Sequence, residues 1–280
     1  MDAPALQLIA EPLLRASAVS SDYRGKDGPV RAVHQVSFEV FRGERLVLLG
    51  PSGCGKSTLL KAVGGFIQPS AGSLTLGGRP ITAAGPDRMV VFQEFDQLAP
   101  WKTVKANVMF PMLATGTKRA EAQERALHWI DLVGLRRVAE AFPHTLSGGM
   151  KARVAIAPAL AMQPDILLMD EPFAALDALS RRQMQAQLQA LWEAHHFTML
   201  FVTHSIEEAL VVGHRILLLS PHPGRLRAEL GSSEFTLASA GSSAFQAAAA
   251  RIDRLLFAAP PDGAAAPVQG AGVLHNAVLS

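Results

Sequence analysis

Cysteine is almost absent from these 280 residues: Cys54 is the only one. No disulfide can form within the chain, which fits a reducing compartment. Long apolar runs are missing too. None reaches the roughly 18 residues of a membrane-spanning helix. The reading is a chain soluble by itself, with any membrane role coming through a partner. The N-terminus carries no signal-peptide pattern, since Asp2 replaces a basic region and Pro4, Glu11 and Pro12 interrupt the apolar stretch. Charge of one sign is also lacking. The formal net charge is +2 with no clustered basic stripe, which argues against a nucleic-acid partner.

What is present is a large apolar fraction, 49% of the chain, enough for a sizeable core. Residues 1–14 read as a flexible leader. From Arg15 the pattern is β-rich, and Val36 to Phe41 alternates like a half-buried strand. Arg45 to Leu49 is a short apolar run ending in glycines, the mark of a buried parallel strand. A helix is expected over Lys56 to Gly64, and further strands over Ser73 to Leu76 and Met89 to Phe92. Residues 93–150 differ in character. Ala126, Leu127, Ile130 and Val133 form a helical stripe, so this region reads as a helical insertion between two halves of an α/β core. After Ser147 another helix is expected. Strands follow at Ile166 to Asp170, Met199 to Val202 and Arg215 to Leu219. Met184, Leu188, Leu191 and Trp192 mark an amphipathic helix between the first two. Residues 231–280 read as a C-terminal extension. One helix is expected over Phe245 to Phe257, and disorder after about 258, where Ala, Pro and Gly dominate.

Two motifs carry chemistry. Gly50-Pro51-Ser52-Gly53-Cys54-Gly55-Lys56-Ser57 is a complete phosphate loop, with an apolar strand before it and a helix after it. Its glycines let backbone N–H groups cradle phosphate oxygens, and the following helix N-terminus adds partial positive charge. Lys56 can reach the β- and γ-phosphates and Ser57 can ligate Mg²⁺, with Thr58 next in the helix. The second motif is Ile166 to Glu171, four apolar residues and two carboxylates. Ligands of open α/β sheets bind at that strand end. Asp170 is the natural partner of Mg²⁺ and Glu171 can polarise an attacking water. ATP and Mg²⁺ are the expected cofactors.

No N-K-x-D guanine-reading motif is present, which argues against a GTPase. Leu146-Ser147-Gly148-Gly149-Met150 decides between the remaining classes, because it resembles the signature motif of ABC transporter ATP-binding subunits. In that family the segment covers the γ-phosphate bound by a second subunit. A hydroxyl at Ser147, close backbone approach at Gly148 and Gly149, and a helix N-terminus suit that task. The resemblance assigns further roles in chain order. Tyr23 matches the aromatic that stacks on adenine. Gln93 matches the lid glutamine that touches Mg²⁺ and the water. Ala174 to Asp177 matches the loop crossing the dimer interface, and His204 matches the switch histidine on the γ-phosphate. Lys56, Gln93, Glu171 and His204 are then the catalytic set, and Ser57, Gln93 and Asp170 the metal set.

The resemblance covers roughly 15–230. It implies a P-loop NTPase core with an antiparallel β subdomain and the inserted α-helical signature subdomain. Within the family, GPSGCGKSTLL (50–60), VFQEFDQLAPWKTVKANV (91–108) and FVTHSIEEA (201–209) resemble importers for nitrate, sulfonates and taurine. The family implies a homodimer or paired ATPase subunit, transmembrane permease subunits and, indirectly, a periplasmic solute-binding protein. It also implies a place on the cytoplasmic face of the inner membrane. The segment Asp96 to Trp101 matches the surface that receives a coupling helix, or else packs the helical insertion. The alternatives are a degenerate subunit that binds ATP with little hydrolysis, and a soluble ABC ATPase outside transport. Two departures stand out: Ala152 where the family usually has Gln, and Pro158 where it usually has Arg. Proline inside a helix removes a hydrogen bond and costs roughly 3 kcal/mol, so a kink is expected there.

Overall fold

In the computed structural model of the chain, residues 11–25, 28–93 and 97–257 are described. Most of the expected leader, residues 1–10, lies outside them. So do the segment after 258 and Asp96, where the expected coupling-helix surface begins. Within the leader, Leu13 and Leu14 are buried, and the Leu13 N–H donates to Val40 O at 2.8 Å. The β-rich region therefore starts ahead of Arg15.

Two sheets organise the molecule. The first is antiparallel and contains β1 (Leu14–Gly25), β2 (Gly28–Val40), β4 (Ala71–Leu76) and β5 (Arg79–Pro80) in the order β2-β1-β4-β5. The second contains β3 (Arg45–Leu49), β6 (Arg88–Val91), β7 (Ile166–Asp170), β8 (Met199–Thr203), β9 (Arg215–Leu219) and β10 (Leu226–Gly231). Its order is β10-β9-β3-β8-β7-β6. The five strands from β9 to β6 are parallel and β10 closes one edge antiparallel.

The parallel strands read as continuous apolar runs because both faces are covered. Successive side chains point to opposite faces, so each strand divides between two cores. Leu46, Leu48, Leu168, Leu200, Val202 and Leu217 face a cluster built with α1 (Lys56–Val63) and the antiparallel sheet. Val47, Leu49, Leu167, Met169, Phe201 and Leu218 face the other cluster. That one contains α2 (Val104–Ala114), α3 (Arg119–Leu132), α4 (Gly148–Ala161), α5 (Ala178–His195), α6 (Ile206–Val212) and α7 (Ser243–Phe257).

The stripe expected from Ala126, Ile130 and Val133 is buried as the pattern requires. α2 begins at an N-cap, Thr103, whose hydroxyl accepts from the Ala106 N–H. Asn107 inside α2 is buried and anchors the preceding loop, donating to Ala99 O, Lys102 O and Thr103 O and accepting from the Ala99 N–H. Pro158 lies inside α4, which continues past it to Ala161. Ala152 is buried in the same helix. The boundary expected at 230 falls within β10. Phe245, Ala248, Ile252 and Leu256 of α7 belong to the same core as α2 to α6.

Candidate functional site

Sheet register explains why distant parts of the sequence meet. Leu49 pairs with Thr203, Val202 with Asp170, and Met169 with Val91. The residues just past these ends are Gly50, His204, Glu171 and Phe92-Gln93. Four parallel strands thus deliver the phosphate loop, the histidine, the carboxylates and the glutamine to one sheet edge, where α/β folds bind ligands.

The loop itself is built on close approach. Gly55 holds φ +97°, and a Cβ there would lie 2.6 Å from Ala32 O of β2. Gly224 also presses on the loop, since its Cβ would lie 2.1 Å from Cys54 O. The Gly224 N–H also donates to Ala32 O, which ties this buttress to β2. Only glycine fits such contacts. Sequence reading missed Gly224, which lies in no motif. Cys54 is buried, and that burial pushes its thiol pKa up.

Lys56 is buried as the first residue of α1, with Nζ donating to Gly50 O at 2.8 Å and Pro51 O at 3.0 Å. The same ammonium lies 3.8 Å from a Glu171 oxygen. Ser57 Oγ donates to Asp170 Oδ1 at 2.8 Å. Asp170 is buried at the end of β7, and loss of hydration raises its carboxyl pKa against the opposing pull of the Ser57 hydroxyl. A hydroxyl and a carboxylate in contact beside a phosphate loop are the oxygen donors Mg²⁺ selects, so these residues fit that ion.

Glu171 has φ +46°, in the left-handed region that side-chain-bearing residues seldom occupy. Its N–H donates to Val202 O at 3.0 Å and its carbonyl accepts from Ala174 N at 3.1 Å. These bonds hold the turn. Its Oε2 lies 2.8 Å from His204 Nδ1. Lys56, Glu171 and His204 therefore form one chain of contacts, and Ser57 and Asp170, their sequence neighbours, form a second pair beside it. Gln93 is exposed just after β6.

Ser147, Gly148, Gly149 and Asp177 form a second group. Ser147 N-caps α4 by accepting from Met150 N, and Asp177 N-caps α5 by accepting from Ser180 N. Added Cβ atoms at Gly148 and Gly149 would touch Leu176 and Ser180, respectively. Ser147 and Gly148 are exposed, and Leu179, next to Ser180 in α5, is 69% exposed. Tyr23 belongs to neither group. It is exposed on β1 opposite Val30, on the hairpin whose second strand backs the phosphate loop.

Comparison with known proteins decides the family. The ABC transporter family model matches residues 33–174. The taurine import ATP-binding protein TauB of Rhizobium johnstonii is 53% identical over 197 residues, 70% of this chain and 75% of that protein. The chain belongs to the ABC transporter family. The nitrate import ATP-binding protein NrtD of Synechococcus elongatus is 42% identical over 212 residues, 75% of this chain and 77% of that protein. Among solved structures, a dimeric post-hydrolysis state of an ATP-binding cassette bound to ADP and Pi superposes with a TM-score of 0.68. It is 29% identical and covers 79% of this chain and 100% of that one. As an ABC cassette, the chain binds and hydrolyses ATP. Its family membership accounts for the α/β core with an inserted helical region.

One further side of the site escaped sequence reading. A cavity of about 370 Å³ lies between Gly50, Pro51 and His204 on one side and Asp253, Leu256 and Phe257 of α7 on the other. Helix α7 thus borders the sheet edge that carries the phosphate loop and His204. Among the described residues no helix is long and apolar enough to cross a membrane.

Proposed function

We propose that this chain is the ATPase subunit of an importer for a small anion such as taurine, another sulfonate or nitrate. The contact chain Lys56–Glu171–His204 at the ends of α1, β7 and β8 carries the catalytic half of this reading. The similarity to TauB and NrtD supports the solute class.

Two copies bind two ATP molecules head to tail. In each site Gly50, Pro51, Ser52, Gly53, Cys54, Gly55 and Thr58 wrap the phosphates, and Tyr23 stacks on adenine. Ser147, Gly148 and Gly149 of the second copy close over the γ-phosphate, with Asp177 at the crossing. Exposure of Ser147, Gly148 and Leu179 supports such a face. Mg²⁺, when bound, neutralises charge on the β- and γ-phosphates, and Ser57, Asp170 and Gln93 would hold it. Lys56 exchanges its carbonyl partners for phosphate oxygens. Glu171 takes the proton of the attacking water as its oxygen bonds to the γ-phosphorus, and His204 steadies the γ-phosphate and the Glu171 carboxylate. ADP leaves with the former bridging oxygen. Permease subunits convert dimer closing and opening into transport, place the chain on the cytoplasmic face of the membrane, and receive solute from a periplasmic binding protein.

Glu171→Gln tests the chemistry. The variant is expected to bind ATP, to accumulate as a dimer in size-exclusion chromatography with ATP, and to release phosphate at least ~100-fold more slowly. Near-normal phosphate release would remove Glu171 as the base. The solute class is tested by deleting the gene and measuring growth on taurine as sole sulfur source and on nitrate as sole nitrogen source. Unimpaired growth on both would remove taurine and nitrate, and unimpaired growth on other alkanesulfonates as sole sulfur source as well would overturn the class.

A further inference from the structure

Glu208 is buried in the first turn of α6, four residues after His204. With Ser205 at the N-cap it has the spacing of a capping box, in which the acid reaches back to the N-cap backbone N–H. The structure departs from that pattern. The Ser205 N–H is taken by Thr203 Oγ1 at 3.0 Å, while Ser205 Oγ accepts from Glu208 N at 3.3 Å. This frees the Glu208 carboxylate for two other elements. One oxygen accepts from the Thr203 hydroxyl and the other from Gln185 Nε2, the latter at 3.3 Å. Of the two neighbours of His204, Thr203 is thereby wired to the carboxylate directly and Ser205 through the Thr203 hydroxyl.

Gln185 belongs to α5, one turn beyond Arg181. Arg181 donates to Phe173 O at 3.4 Å and Leu176 O at 3.2 Å, which fixes the segment leading into Asp177. Burying a carboxylate without a full counter-charge contact is costly, and burial raises the carboxyl pKa of Glu208. A residue needed only to cap a helix could remain in water.

We propose that Glu208 is a positioning residue for hydrolysis, holding the backbone around His204 in register with α5 and the 173–177 segment so that the imidazole meets Glu171. The proposal rests on the reading of His204 and Glu171 as a catalytic pair.

The test is steady-state phosphate release by the full chain with Glu208→Ala, Glu208→Gln, Gln185→Leu and His204→Ala. Glu208→Ala is expected to lower kcat roughly 10-fold while KM for ATP stays within about 2-fold. Glu208→Gln can still bond both partners if the Gln185 amide turns over, and is expected to restore most of kcat. Gln185→Leu leaves the helix cap intact and is expected to lower kcat about 3-fold. It decides the matter if Glu208→Ala does not fold. An unchanged kcat in Glu208→Ala or, where that fails to fold, in Gln185→Leu would overturn the proposal. So would a Gln variant as slow as the Ala one. If His204→Ala itself hydrolyses ATP normally, the underlying catalytic reading fails instead.

Discussion

At the scale of the residue, the site and its surroundings use burial in opposite ways. Asp170 and Glu208 are carboxyls whose pKa rises on burial, whereas His214 is a base pushed down to about 4. Loss of hydration is the larger cause for His214, and the Arg45 charge adds to it. Arg45 Nε donates to His214 Nε2 at 3.2 Å and its guanidinium stacks on Trp192, so the ring nitrogen must stay unprotonated. The unfolded chain takes up this proton near pH 6.5 and the folded chain only near 4. This contribution to stability is full above 6.5 and is lost as pH falls toward 4. Discounted for partial solvent access, it amounts to roughly 1–2 kcal/mol. Urea denaturation at pH 7.5 and 4.5 should show a smaller drop for His214→Phe than for the parent chain. An equal drop in both would assign the acid sensitivity elsewhere. The phosphate-loop residues were legible at this scale because their spacing is rigid. Glu208 was not, because acids in a helix's first turn usually face water.

At the scale of the element, α4 carries a visible defect. Pro158 cannot donate to the carbonyl one turn earlier, yet the helix continues past it among buried Ala155, Ala157, Ala159 and Leu160. Tertiary packing overrides a local preference against helix here. Pro158→Ala restores the missing donor and is expected to raise the melting temperature by on the order of 5 °C. ATP turnover should stay unchanged, because Ser147 lies at the far end of the helix. An unchanged melting temperature would mean that packing has already compensated the defect. Strands β3, β7 and β9 were readable to the residue, since each is an apolar run with sharp ends. β10 was not: Leu226–Gly231 is an exposed edge strand with weak alternation, and its pairing with β9 is a tertiary fact. The buttressing of the loop by Gly224 was hidden for the same reason.

At the scale of the molecule, the two groups of site residues follow from the sheet. Four parallel strand ends fix the phosphate side, while the starts of α4 and α5 fix the signature side. If each ATP takes one side from each copy, two differently damaged copies should repair each other. Lys56→Ala and Ser147→Arg are each expected to be inactive alone. Mixed in equal amounts, they form half mixed dimers, each with one intact site. Phosphate release should then return to about a quarter of the parent rate. No recovery in a mixture shown to exchange subunits would rule out the shared site.

The buried sulfur beside Gly50 has a practical consequence. Cys54 is the only thiol in the chain, and Gly224 and β2 crowd the backbone around it. A maleimide reaches it only when the loop lifts from that bed. The alkylation rate of the unaltered protein is therefore a clock for loop opening, without any engineered label. ATP should slow that clock, and the extent of slowing would measure how firmly nucleotide holds the loop shut.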